Sequence, residues 1–116
     1  MPDQDIEQSE IRSLLGSDLT TAMRTGDKVR IRAIRSTMTA IANAEAVEAP
    51  TGAEGTVGYS DVPRRQVGRA QIHELIESEI GERETAAAQY RGVGRPADAE
   101  ILEAEIGVLR VYLDRV

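Results

Sequence analysis

Apolar residues recur at three- and four-residue steps through most of this chain and show no sustained alternation with polar ones. That period lines side chains along one face of a helix, so it admits helices packed on helices and little else. Ile11, Leu14, Leu15, Leu19, Ala22 and Met23 form a first stripe, which predicts a helix from about Ile6 to Thr25. Gly26 and Asp27 follow: a residue suited to the left-handed position past a helix end, then a favoured N-cap. Ile31, Ile34, Met38, Ile41 and Ala42 carry a second helix from Lys28 to about Val47. So short a break predicts an antiparallel αα-hairpin.

Between Glu48 and Pro63 the pattern dissolves. Pro50, Gly52, Gly55, Gly58 and Pro63 stand among Thr, Ser and Asp and read as a long loop, either a tolerated surface insertion or a functional segment. A third helix is expected from about Val67 to Arg91 on Ile72, Leu75, Ile76, Ile80, Ala87 and Tyr90. Gly92-Val93-Gly94 ends it, and Pro96 suits the first turn of a fourth, Pro96 to Leu113. Ile101 or Leu102, then Ile106, Leu109 and Leu113, form its stripe. Gly81 and Gly107 interrupt these helices at about 1 kcal/mol each relative to Ala, a cost that facing glycines at a close helix approach would explain. The expected fold is all-α: one four-helix domain over residues 1–116, built from two antiparallel hairpins, 6–47 and 67–113, with the long loop 48–63 between them.

Composition narrows the chemistry. There is no Cys, one His, and no aromatic residue besides Tyr59, Tyr90 and Tyr112. Disulfides, a thiolate nucleophile, a cysteine-type zinc site and a multi-histidine metal cluster within one chain are thereby excluded. The core must come from Ile, Leu, Val and the fifteen alanines, which let helix axes approach. A net charge of −6 argues against indiscriminate grip on nucleic acid or anionic membrane. The acidic start, Met1-Pro2-Asp3-Gln4-Asp5, lacks the basic and apolar regions of a signal peptide, and no window approaches 18 apolar residues. The expectation is a cytoplasmic protein with no catalytic residues, metal or cofactor.

Against this acidic background one stretch is basic. Arg24, Lys28, Arg30, Arg32 and Arg35 share twelve positions with a single acid, Asp27. On a helix Lys28, Arg32 and Arg35 line one side while Arg30 projects elsewhere. Guanidinium forks match phosphate oxygens, so these five are the candidate phosphate-binding residues; the alternative is intramolecular pairing with acids of the third and fourth helices. Those acids, Glu74, Glu77, Glu79, Glu82 and Glu84, then Glu100, Glu103 and Glu105, read as solvated faces with i, i+4 partners such as Glu79–Arg83. His73 reads as a surface or boundary side chain, since the Glu-x-x-His motif of a carboxylate-bridged metal site is missing: Ala70 stands three residues before it. Gly92-Val93-Gly94 follows no strand and reads as a turn, not a phosphate loop.

Two stretches resemble a known family. Asp18-Leu-Thr-Thr-Ala-Met-Arg24, Gly26-Asp27, Arg30 to Arg35 and Ala40-Ile-Ala-Asn-Ala-Glu45 resemble the opening helical hairpin of the YqeY (GatB/YqeY-like) proteins. Glu79-Ile-Gly-Glu-Arg83, Tyr90-Arg-Gly-Val-Gly-Arg95, Glu105 and Leu109-Arg-Val-Tyr-Leu113 resemble that family's third and fourth helices. The resemblance implies a small cytosolic helical protein, similar to the tail of the B subunit of aspartyl/glutamyl-tRNA amidotransferase, which helps engage tRNA. It also implies a family label of carbon–nitrogen ligase activity with glutamine as amide donor, for which these residues offer no catalytic apparatus. Three departures stand out. The family usually continues past Tyr-Leu with a proline and a smaller second helical domain, where this sequence has Asp114-Arg-Val116; the loop at 48–62 is longer and richer in glycine; and Ala42 stands where a basic residue is common.

Two functions are therefore expected in competition. The first is a non-catalytic accessory module that contacts tRNA or amidotransferase subunits through Arg24, Lys28, Arg30, Arg32 and Arg35. The second is a protein-interaction or self-associating helical adaptor, a homo-oligomer with no nucleic-acid role.

Overall fold

The computed structural model describes residues 2–47 and 67–116, with side chains described over 10–46 and 67–116. The expected loop 48–63 lies outside these residues. Four helices make up the described chain: α1 (Pro2–Thr25), α2 (Lys28–Val47), α3 (Arg69–Gly92) and α4 (Pro96–Leu113). The domain is all-α.

The connections are built by residues whose chemistry the turns require. Gly26 takes φ +72°, and the amides of Gly26 and Asp27 turn back to the carbonyls of Met23 and Ala22 at 3.3 and 2.9 Å. Asp27 then caps α2, its Oδ1 accepting from the Arg30 amide at 3.1 Å. The same pattern closes α3. Gly94 has φ +76°, with Gly94 and Arg95 amides donating to Arg91 and Tyr90 carbonyls at 3.2 and 2.8 Å. Both are Schellman motifs, which need a left-handed residue that glycine alone adopts without steric cost. The Gly92–Gly94 stretch is thus a turn.

Two helix ends differ from expectation. α1 begins at Pro2 rather than Ile6, because proline fits the first helical position and needs no apolar partner to start a helix. α3 begins at Arg69 rather than Val67: Gly68 stays extended as N-cap, and Val67 is buried just before it.

The core is aliphatic. Leu15, Ile34, Val67, Ile72, Ile76 and Leu109 are fully buried, joined by Ile11, Ala33, Ile41, Ile80, Ile106 and Tyr112. α4 packs most extensively on α3, and α2 touches all three other helices. Two stripe residues are corrected, and one alternative is settled. Met23 is 52% exposed, its sulfur 3.7 Å from the Arg35 guanidinium, and Ala42 faces solvent. Leu102, not Ile101, turns inward. A side chain at Gly81 or Gly107 would meet nothing within 4 Å, so neither glycine marks a close approach of helices within the chain.

Candidate nucleic-acid interface

The basic residues of α2 follow its helical phase. Lys28, Arg32 and Arg35 fall within an arc of about 60° on the side away from Ala33, Ile34, Thr37 and Ile41, and all three are exposed. Arg24 sits exposed across the Gly26 turn at the end of α1. Arg35, through its contact with Met23, leans towards that end. Arg30 points elsewhere and pairs with Asp27, Nε to Oδ2 3.5 Å. Among the described residues Arg24 and Lys28 carry no ion pair or side-chain hydrogen bond, and Arg35 meets no acid. Four exposed cations therefore ring the junction of α1 and α2, with Arg30 tied to its own cap.

Arg32 is the member with a second attachment. Its Nη1 lies 3.7 Å from Oε2 of Glu105, an acid of α4 that is only 3% exposed. That distance is an ion pair without a hydrogen bond, and Glu105 Oε2 receives no hydrogen bond from any group. The other oxygen, Oε1, accepts from Arg83 Nε at 2.9 Å. Arg83 Nη1 also donates to Glu79 Oε1 at 2.9 Å, and Glu79 accepts from the Ser36 hydroxyl of α2. Arg83, in α3, thus holds two carboxylates in a network spanning α2, α3 and α4. Burial works against the guanidinium charge; the hydrogen bonds to Glu105 and Glu79 more than offset it, and Arg83 binds its proton more firmly than a free arginine.

The reading of the α3 and α4 acids as solvated faces is therefore corrected for two of them. Glu79 pairs with Arg83 as its spacing implied, but Glu79 and Glu105 turn inward, and Glu45 of α2 is also buried, paired with Arg12 of α1. A signal existed for two of them. Glu45 follows Ile41 by one helical turn and Glu105 precedes Leu109 by one, so both acids lie in phase with an apolar stripe. The remaining acids behave as surface charges: Glu103 clasps Arg91 at 2.7 Å and Glu84 clasps Arg110 at 3.2 Å across α3 and α4, both pairs exposed. His73 is half-buried, with Nδ1 3.6 Å from Glu77.

Tyr112 is a further buried polar group. Its phenol donates to Asp18 Oδ2 at 2.5 Å. Burial first, then that hydrogen bond and the Asp18 charge, hold the phenol proton well above the ordinary tyrosine range, against a smaller opposing pull from Arg30 and Arg115. Among the described residues no group of three or more His, Asp or Glu is placed to hold a metal ion, and no helix is long and apolar enough to cross a membrane.

A family model described as "Yqey-like protein" matches residues 12–115, from the middle of α1 to just past the end of α4. The chain belongs to the YqeY-like family. Its matched stretch includes the basic junction, the Arg83–Glu105 pair and the Tyr112–Asp18 contact. Comparison with curated proteins finds no match.

Proposed function

We propose that this YqeY-like chain is a non-catalytic accessory module that contacts tRNA phosphates through the junction of α1 and α2. The observation supporting this reading is the outward row of Lys28, Arg32 and Arg35, with Arg24 beside it, in a chain that is acidic elsewhere. Cations without firm acidic partners keep their charge available to phosphate, and a local row can bind where the whole-molecule charge opposes broad association. Arg32 is bound loosely enough by Glu105 to be shared with an incoming phosphate. Arg30, held by Asp27 and turned aside, contributes least. Family relationship to the amidotransferase B-subunit tail supplies the substrate class, and the amide transfer itself belongs to the larger enzyme.

Mobility shift or filter binding with bulk tRNA at low salt tests the proposal. Saturable binding at micromolar protein is expected, weakened at least tenfold by the pair Arg32→Glu and Arg35→Glu. No binding at tens of micromolar, or binding indifferent to that pair, overturns it.

A further inference from the structure

The charge balance beneath the basic row is uneven along it. Two carboxylates, Glu79 and Glu105, turn into the space between α2, α3 and α4, and one guanidinium, Arg83, binds both directly. Among the described residues the second cation within reach is Arg32, 3.7 Å from Glu105 Oε2. With Arg32 the group is neutral, two acids against two bases. Without it the group holds an unbalanced negative charge on a carboxylate that is 3% exposed. A buried charge left without its counter-charge is costly, so Arg32 is held by what it neutralises.

Position singles out Arg32 within the row. Ser36 lies one turn after it, about 40° further round α2, and touches Glu79 of α3. Lys28 and Arg35 lie about 40° and 60° round the other way, and neither meets an acid among the described residues. Arg32 is therefore the inner edge of the row, 62% exposed and able to turn either to Glu105 or to an outside anion. Among the described residues Glu105 Oε2 is also the one buried side-chain oxygen or nitrogen without a hydrogen bond. The contact is electrostatic and fixes no geometry, so it does not preorganise the guanidinium for phosphate; it competes for its charge.

We infer that Glu105 is a built-in competitor of the phosphate row, a positioning residue that holds Arg32 back and lowers the affinity the row would otherwise have. The inference rests on the proposed tRNA contact. A phosphate that draws Arg32 outward strands the charge of Glu105 and is itself repelled by it, so the gain at Arg32 is smaller than at Arg35, which has no acid to leave. Glu105 belongs to α4 and accepts from Arg83 of α3, so the strength of a row on α2 is set from the two helices behind it.

Filter binding with bulk tRNA at low salt, with helix content followed by circular dichroism, provides the test. Glu105→Gln keeps the side chain's length and an oxygen for Arg83 while removing the charge; it should tighten binding about threefold or more. In the native chain Arg32→Gln should cost less affinity than Arg35→Gln, by about twofold or more, and in the Glu105→Gln background the two should cost the same. Glu82→Gln removes an exposed acid of α3 and should change affinity by less than about twofold, which separates release of Arg32 from a general loss of negative charge. Both arginines are exposed, so their comparison in the native chain decides the matter even if Glu105→Gln loses helix content. Equal costs for Arg32→Gln and Arg35→Gln in the native chain, or affinity unmoved by a fully helical Glu105→Gln, overturn this inference alone and leave the tRNA contact standing. Absence of binding by the native chain and Glu105→Gln alike overturns the tRNA reading and this inference with it.

Discussion

Arg83 stands between two carboxylates, and the cost of removing it differs from the worth of the pair. An ion pair this buried spends much of its attraction on desolvation, so replacing both partners with apolar residues is often neutral, whereas removing one strands a charge. Arg83→Ala should therefore destabilise the fold by about 3–5 kcal/mol in urea unfolding, because buried Glu105 loses both its hydrogen bond and its close cation and keeps only the longer ion pair with Arg32. Arg83→Met together with Glu105→Leu should recover most of that loss. An additive double substitution would show that the two residues do not act as a pair. Tyr112 gives a second prediction at this scale. Its proton is held more tightly in the fold than in the unfolded chain, where tyrosine titrates near 10. The contribution is complete below that value and falls as pH rises towards the folded pKa, by about 1.4 kcal/mol per pH unit once the unfolded phenol ionises. Denaturant midpoints between pH 9 and pH 11 should thus fall more steeply for the native chain than for Tyr112→Phe, and equal slopes would contradict this.

At the scale of the helices, glycines in two settings should respond with opposite signs. Gly26 occupies a left-handed conformation, so Gly26→Ala should cost about 1 kcal/mol or more. Gly81 lies inside a right-handed helix with open space at its Cβ, so Gly81→Ala should stabilise by up to about 1 kcal/mol. Thermal midpoints moving by about 4–8 °C per kcal/mol would resolve both, and a shift of the same sign would refute the assignment. The same residues explain which helix bounds were legible from sequence. Lys28–Val47 and Pro96–Leu113 lie as expected because Asp27 and Pro96 mark the starts with specific chemistry. Pro2 stands outside the apolar stripe that set the expected start of α1, and the start of α3 carries no such mark. There the apolar period showed only where burial begins, at Val67, two residues outside the helix.

Among the described residues, α2 contacts each of the other helices and still exposes one side, which is how a central helix can display a basic row. The sequence showed that row, since a helical period suffices to align Lys28, Arg32 and Arg35. It did not show that Glu105 restrains Arg32 while Lys28 meets no acid among the described residues, because partners from distant helices meet only through packing. If three of these cations engage phosphates, the logarithm of tRNA affinity should fall with the logarithm of salt at a slope of about −2 to −3. A flat dependence would point away from phosphate. One more consequence follows from Tyr112. The backbones of α1 and α4 do not approach closely, yet the phenol spans the gap to Asp18. A phenol hydrogen-bonded to a carboxylate loses emission to proton transfer, and no tryptophan is present to mask it. The chain thus carries an intrinsic optical gauge: ultraviolet fluorescence should brighten when α1 lifts away, without any label.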